Sequence, residues 1–292
     1  MEERADEDEW LIESLRRYSD LHVFELQEPT RVIEWTSDKS VCVAGYRAAK
    51  KHDILELLLP QKLSAKDNRG LCPERDFKVQ HGGFSQEPVN CLKYILGTRC
   101  VVTSGDPGSS LQLWQIAADD SDAIKKTGYI HVKRKGKTTR KLASGLGGAP
   151  AVLHGSQIGD VQLTDLTSGQ ALYTAGEDSS DAVGALRFVD ASVFLVCAES
   201  GELRVGDVRE PSALRRAAAA GEQGESCCCM DLKDGAVARL FSTAQVVVSD
   251  LRDLRRPLSQ ARLNIRSGAA SSHFLTVSWA PALHNCLSVS GE

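Results

Sequence analysis

VVTSGDPGSSLQLWQI, residues 101–116, reads as a strand, a tight turn and a second strand. Val101 and Val102 open an apolar strand that runs out at Ser104-Gly105. Asp106, Pro107 and Gly108 suit a turn: one bonds its own backbone, one fixes φ, one lacks a Cβ. Leu111, Leu113 and Gln115 then share one face and Gln112, Trp114 and Ile116 the other, because side chains alternate along a strand. The pattern returns as AVLHGSQIGDVQLTDL from Ala151, VFLVCAESGELRVGDV from Val193 and AVARLFSTAQVVVSDL from Ala236. Asp165, Asp207 and Asp250 occupy the same point in those three copies, and from Gln115 the spacings are 50, 42 and 43 residues. A period of about 40–45 residues with four short strands is that of a β-propeller blade. One copy is too small to bury its own face, so the copies must stack.

Composition fits this all-β reading. The 292 residues are 42% hydrophobic and 25% charged, and the net charge of −4 provides no global field for nucleic acid. Nine cysteines are present without a C-x-x-C pair, and Cys227, Cys228 and Cys229 are consecutive. That pattern predicts free thiols in a reducing compartment and no structural metal. The acidic N-terminus and the lack of an apolar run near ~20 residues predict a cytosolic or nuclear chain.

Residues 1–21 are expected to be an acidic tail followed by an amphipathic helix, and 22–292 a propeller. Trp10, Leu11, Leu15 and Tyr18 recur at helical spacing. That stripe either packs on the propeller rim or binds a partner. An isolated strand is expected over 22–26. The first blade is read over about 31–80, with its fourth strand from Arg75 to Gln80. The second blade has strands from Val89 and Arg99, the quoted stretch, and an outer strand from Tyr129 to Lys133. The third begins near Leu142, although SGLGGAP is loop-like. The fourth uses 183–188, 193–198 and 202–207, with a loose outer strand after Leu214. The fifth uses 230–232, 237–241 and 246–250, with 258–265 outermost. A sixth starts at 274–279 and 286–290.

Between Lys133 and Lys141, KRKGKTTRK carries six basic residues and no acid: Lys133, Arg134, Lys135, Lys137, Arg140 and Lys141. It reads as a solvated loop, a nuclear-localisation patch, or a contact for phosphate or an acidic partner. No aromatic side chain is interleaved as a stacking platform, which argues against RNA. Gly145-Leu146-Gly147-Gly148 lacks the Lys-Ser/Thr of a P-loop, and His81-Gly82-Gly83 has no nucleophile elbow to accompany it. No nucleophile–base or metal phrase converges. An enzyme would need a central-funnel site, for which Glu34, Lys93 and Arg187 are the candidate charges.

Some of these residues also match a known pattern. Val277-Ser278-Trp279-Ala280-Pro281 resembles the inner half of a WD repeat, and Leu113-Trp114-Gln115 and Val248-Ser249-Asp250 resemble its closing strand. DEWLIESLRRYSD, TRVIEW, VAGY, PERDFKVQHGGFS, VTSG, LQLWQ, VLHG and WAPALHNCL extend the resemblance to one branch of the WD-repeat family, from about Asp8 to Glu292. Trp-Gln replaces Trp-Asp in the second blade, the later copies keep Asp without Trp, and residues 133–149 depart from the pattern.

The resemblance implies a non-enzymatic, cofactor-free protein-interaction scaffold. Its implied role is assembly of the RNA endonuclease module of the Integrator complex in the cytoplasm, bound to the two nuclease-fold Integrator endonuclease subunits. It also implies links to spindle poles, the cleavage furrow and microtubules, with tubulin as a possible partner. It further implies a structural hydrogen-bond chain on the second blade through His81, Asp106, Thr103 or Ser104, and Trp114. Arg75 and Asp76, beside an outer strand, are candidate partner contacts. Counting copies gives five blades and half of a sixth, which predicts a C-terminally truncated form with an open ring.

Overall fold

The computed structural model describes residues 12, 26, 30–45, 52–61, 76–105, 110–118, 123–132, 138–146, 150–176, 179–210, 212–218, 225–263 and 275–290. The expected helix at 10–18 and strand at 22–26 lie outside them, apart from Ile12 and Leu26.

Five four-stranded antiparallel sheets follow one another, each wound strand to neighbouring strand. The first is β1 (Thr30–Ser37), β2 (Ser40–Gly45), β3 (His52–Leu58) and β4 (Lys78–Ser85). The second is β5 (Cys91–Tyr94), β6 (Cys100–Ser104), β7 (Leu111–Ile116) and β8 (Ile124–Ile130). The third is β9 (Lys141–Ser144), β10 (Ala151–Gly155), β11 (Gln162–Asp165) and β12 (Ala171–Thr174). The fourth is β13 (Val183–Phe188), β14 (Val193–Ala198), β15 (Leu203–Asp207) and β16 (Leu214–Ala218). The fifth is β17 (Cys227–Lys233), β18 (Ala236–Phe241), β19 (Gln245–Asp250) and β20 (Asp253–Arg262). A sixth sheet holds β21 (Thr276–Trp279) and β22 (Leu287–Ser290) among the described residues. The first strands neighbour one another in the order β1, β5, β9, β13, β17, β21, so the sheets are arranged as propeller blades.

The period-2 alternation explains why the blades stack. Val101, Trp114 and Ile116 point toward the first sheet, where they meet Cys42, Ala44 and Ile54. Val102 and Leu111 point the other way and meet Leu142 and Val152 of the third. Phe194 and Val196 join the core shared with the third sheet, whereas Leu195 and Cys197 join the one shared with the fifth. Ala238 and Leu240 carry the series on to Val277 of the sixth. Each middle strand is therefore apolar on both faces, and each inter-blade layer is a small core.

The outer strands depart from expectation. The first blade ends at Ser85, so His81 lies inside β4. The second blade's outer strand runs Ile124–Ile130 and not from Tyr129. Only Ile124 and Ile130 of it are buried, because an outermost strand has little to cover. For the same reason Arg215 and Arg216 sit comfortably in β16, and β20 starts at Asp253, five residues before its expected start. Gly83 is required where β4 meets β8, since a Cβ there would lie 2.4 Å from the Ile124 carbonyl oxygen. The His81-Gly82-Gly83 phrase thus serves a close strand approach.

Candidate interaction surface and the polar ties between blades

In four blades the closing position of the third strand, the last residue of β11, β15 and β19 and the penultimate one of β7, faces the first residue of the second strand. Cys100 pairs with Gln115, Ala151 with Asp165, Val193 with Asp207 and Ala236 with Asp250. At this position the aspartates close turns. Asp165 Oδ1 accepts from the Thr167 and Ser168 N–H groups and the Ser168 hydroxyl. Asp207 and Asp250 each accept a backbone N–H two residues on and hold that residue's guanidinium, Arg209 or Arg252. The arginine bonds draw both carboxyls down to about 2. These three residues are surface turn caps, separate from any buried chain.

The residue before each cap is the Trp position, and the blades fill it differently. In the second blade Trp114 Nε1 donates to Thr103 Oγ1 at 2.9 Å, with both residues buried. Asp106 lies outside the described residues. Thr164 holds the position in the third blade and meets His154 Nε2 at 2.9 Å. His154 Nδ1 lies 3.2 Å from Arg140, which also donates to Asp160 Oδ2 at 2.7 Å. An arginine can only donate, so Nδ1 accepts, and the ring proton sits on Nε2 and goes to Thr164. Burial, then the Arg140 charge, lowers His154 to about 3, so the ring is neutral. Asp160 Oδ1 also accepts the Ser156 and Gln157 N–H groups, which pins the short 3-10 turn Ile158–Asp160. In the fourth blade the position is Gly206, and Phe194 from β14 lies over it. The fifth has Ser249, fully buried.

His81 does not reach the Trp114–Thr103 pair. Its Nδ1 is 2.6 Å from Glu56 Oε2, within the first blade. Glu56 also accepts from Thr36 at 2.8 Å and from both terminal nitrogens of Arg99, at 3.0 Å each. Arg99 belongs to the second blade, so this cluster ties two blades. Burial pushes the Glu56 carboxyl up, but the bonds from Arg99, Thr36 and His81 outweigh it and hold the group below its ordinary value.

The inner-strand charges also pair across blades. Lys93 meets Glu34 at 2.6 Å, and Arg187 meets Asp231, whose other oxygen accepts the Trp279 N–H. Glu34, Lys93 and Arg187 are therefore consumed in separate ties and do not converge. Among the described residues, no group of three or more His, Cys, Asp or Glu side chains is arranged to hold a metal.

The expected contact residues divide. Asp76 is exposed. Arg75, Lys133, Arg134, Lys135 and Lys137 lie outside the described residues. Arg140 is a correction to the basic surface: its side chain is 6% exposed and bound to Asp160, so it belongs to the third blade's interior. Lys141 opens β9, half-buried.

The sequence reading singled out KRKGKTTRK and missed a second basic concentration. Residues 251–263 contain four arginines against Asp253 alone; Arg252 precedes β20 and Arg255, Arg256 and Arg262 lie in it, interrupted by Leu254, Pro257 and Leu258. A strand that exposes nearly every side chain is the signal that would have found it.

No family model matches the chain. It is 49% identical over 306 residues to the Integrator complex assembly factor WDR73 of Danio rerio, with 100% of this chain and 79% of that protein covered. Against the Homo sapiens protein of the same name the identity is 42% over 292 residues, covering 97% and 77%. Among solved structures, a chain of the COPII outer coat vertex on membranes superposes with a TM-score of 0.65 at 14% identity, covering 90% of this chain and 70% of that one. The last likeness shows the fold, a WD-repeat-like propeller. Blade period, sheet order and identity over nearly the whole length agree, and the chain belongs to the Integrator complex assembly factor WDR73 family.

Proposed function

We propose that this chain is a non-enzymatic scaffold that takes part in assembling the RNA endonuclease module of the Integrator complex by binding its nuclease-fold subunits. The observation that carries this reading is the 42–49% identity, over nearly the full chain, to proteins named for Integrator assembly. The geometry supports it. Successive sheets joined by apolar layers and polar ties make a stiff body that offers its edges and loops, and its inner-strand charges are used in pairs. We place the activity in the cytoplasm, and association with spindle poles, the cleavage furrow and tubulin is part of the same proposal.

Affinity purification of the tagged full chain from cytosol, followed by mass spectrometry, tests it. Both endonuclease subunits should co-purify. Their absence, with the chain folded, would sink the reading. The basic segment is tested by reversing Lys133, Arg134, Lys135 and Lys137 only. Arg140 and Lys141 stay, because one holds the Asp160–His154 cluster and the other begins β9. Imaging through mitosis tests the spindle association, and a uniform cytoplasmic signal would remove it.

A further inference from the structure

Among the described residues β20 is the outermost strand of the fifth sheet, pairs with β19 alone and, at 10 residues, is longer than it. The pairing is irregular where the arginines sit. Asp250 pairs with Asp253 and Ser249 pairs with Pro257, so Leu254, Arg255 and Arg256 bulge out of register. Leu254 is buried in the core shared with the fourth sheet and anchors the bulge. Arg255 and Arg256 are exposed on it, which is what a bulge does when it re-aims side chains. Leu258, 65% exposed, stands two residues further on.

What separates these two arginines from their neighbours is pairing. On the adjoining rim Arg209 is held by Asp207, Arg215 by Glu210, Arg216 by Glu202 and Arg252 by Asp250. Among the described residues, the Arg255 and Arg256 guanidinium groups have no carboxylate partner; only the Arg255 backbone N–H reaches one, Asp253 Oδ1 at 3.3 Å. The chain as a whole is acidic, with a net charge of −4, yet residues 251–263 carry four arginines against one aspartate. An outermost strand has unpaired N–H and C=O groups along one edge, to which an extended chain can add as a further strand. Two guanidinium forks beside that edge match carboxylates in bidentate fashion, and Leu258 supplies an apolar contact two residues beyond them.

We propose that the β20 edge, through Arg255, Arg256 and Leu258, is a docking surface for an extended acidic segment of a partner protein. The segment pairs along the regular part of β20, residues 259–262, beyond the bulge and Pro257, and places carboxylates on Arg255 and Arg256 and an apolar side chain on Leu258. This deepens the scaffold reading and rests on it. Nucleic acid fits the strand less well, because no aromatic side chain stands beside the arginines to stack a base.

The test uses the full chain and a fluorescein-labelled ten-residue peptide of alternating Glu and Val. Arg255→Glu with Arg256→Glu should weaken binding at least tenfold, and Leu258→Asp at least threefold, with melting temperatures unchanged because all three side chains are exposed. Lys125→Glu, a charge reversal on exposed β8 of the second blade, should leave binding within twofold. Binding unchanged by the double reversal overturns the proposal, and so does equal loss from Lys125→Glu. Tighter binding of a 20-nucleotide polyuridylate, abolished by the same double reversal, overturns it in favour of RNA. Capture of Integrator subunits from cytosol separates the two readings. If the wild-type chain captures them and the double reversal changes neither capture nor peptide binding, the surface fails and the scaffold stands. If the peptide behaves as expected and wild-type chain captures no subunit, the scaffold reading fails alone.

Discussion

Arg99 of the second blade closes both terminal nitrogens, at 3.0 Å each, onto the fully buried carboxylate of Glu56 in the first. The two residues are 43 apart in the chain, about one blade period, and theirs is the one bidentate ion pair that crosses between described blades. Glu56→Gln keeps the volume but turns an acceptor into a donor facing Arg99 or His81. Removing one partner of a buried pair costs about 3–5 kcal/mol, and Arg99's partial exposure sets the lower end, about 3 kcal/mol. The folded carboxyl lies below its ordinary value, so its contribution is complete above the unfolded value near pH ~4.3 and is lost as pH falls through the folded one. Urea unfolding at pH 7 and pH 3.5 checks this. The gap between wild type and Glu56→Gln should narrow in acid, and an equal gap at both pH values would refute the pairing.

His154 acts in the opposite sense to a surface histidine. Its folded value is about 3 and its unfolded value about 6.5, so below pH 6.5 the unfolded chain takes the proton first. Stability is therefore full above 6.5 and falls as pH drops toward 3. His154→Gln can accept from Arg140 and donate to Thr164 as the neutral ring does, without the titration. Relative to this variant, wild type should lose about 2 kcal/mol between pH 7 and pH 5. Parallel stability curves over that interval would mean that the folded chain takes up the proton as readily as the unfolded one.

Much of the architecture was legible because it rests on period. The strand–turn–strand copies at 101, 151, 193 and 236 became the middle strands of four blades, and the structure puts the consecutive Val101 and Val102 in different inter-blade layers. The aspartates could be aligned but their role could not, since a turn cap and a buried network member look alike in sequence. The Glu56–Arg99–His81 cluster was invisible for a different reason. Its members come from β3 and β4 of the first blade and the turn before β6 of the second, and only the stacking brings them together. Arg140 was misread as surface because the carboxylate that buries it, Asp160, arrives 20 residues later. The arginines of β20 were overlooked because Leu254, Pro257 and Leu258 break up the run, so it does not stand out as KRKGKTTRK does.

Trp114 and Thr103 form a closed polar pair inside an otherwise apolar layer. Thr103→Val leaves the indole N–H without an acceptor and should cost about 1–3 kcal/mol. Trp114→Phe frees the threonine hydroxyl and trims a buried ring, costing about 2 kcal/mol or more. The double variant should be at least about 1 kcal/mol more stable than the sum predicts, because neither polar group is then left alone. Chemical denaturation of the four chains measures it, and simple additivity would show that the bond contributes nothing.

Gly206 stands where the second blade has Trp114, and the fourth blade supplies the missing ring from the adjacent strand. Phe194, directly paired with Gly206, lies so close that a Cβ on residue 206 would come within 2.2 Å of its Cζ and 2.5 Å of its Cε2. The ring cannot swing away. It is fully buried, with Tyr173 edge-on at 5.1 Å and Phe188 at 5.9 Å. Even one methyl at 206 therefore overpacks the layer between the third and fourth blades, and Gly206→Ala should destabilise by about 1–3 kcal/mol. The same substitution placed on Phe194→Leu should cost less, because the shorter side chain vacates the space that the new Cβ needs. The single variant Phe194→Leu should itself be destabilising, since it loses two edge-on aromatic contacts worth about 0.5–1.5 kcal/mol each beyond area. A double-mutant cycle by urea unfolding reads the coupling, expected at about 1 kcal/mol in the compensating direction. Gly206→Ala equally costly in both backgrounds would mean that the glycine serves the backbone alone and not the ring.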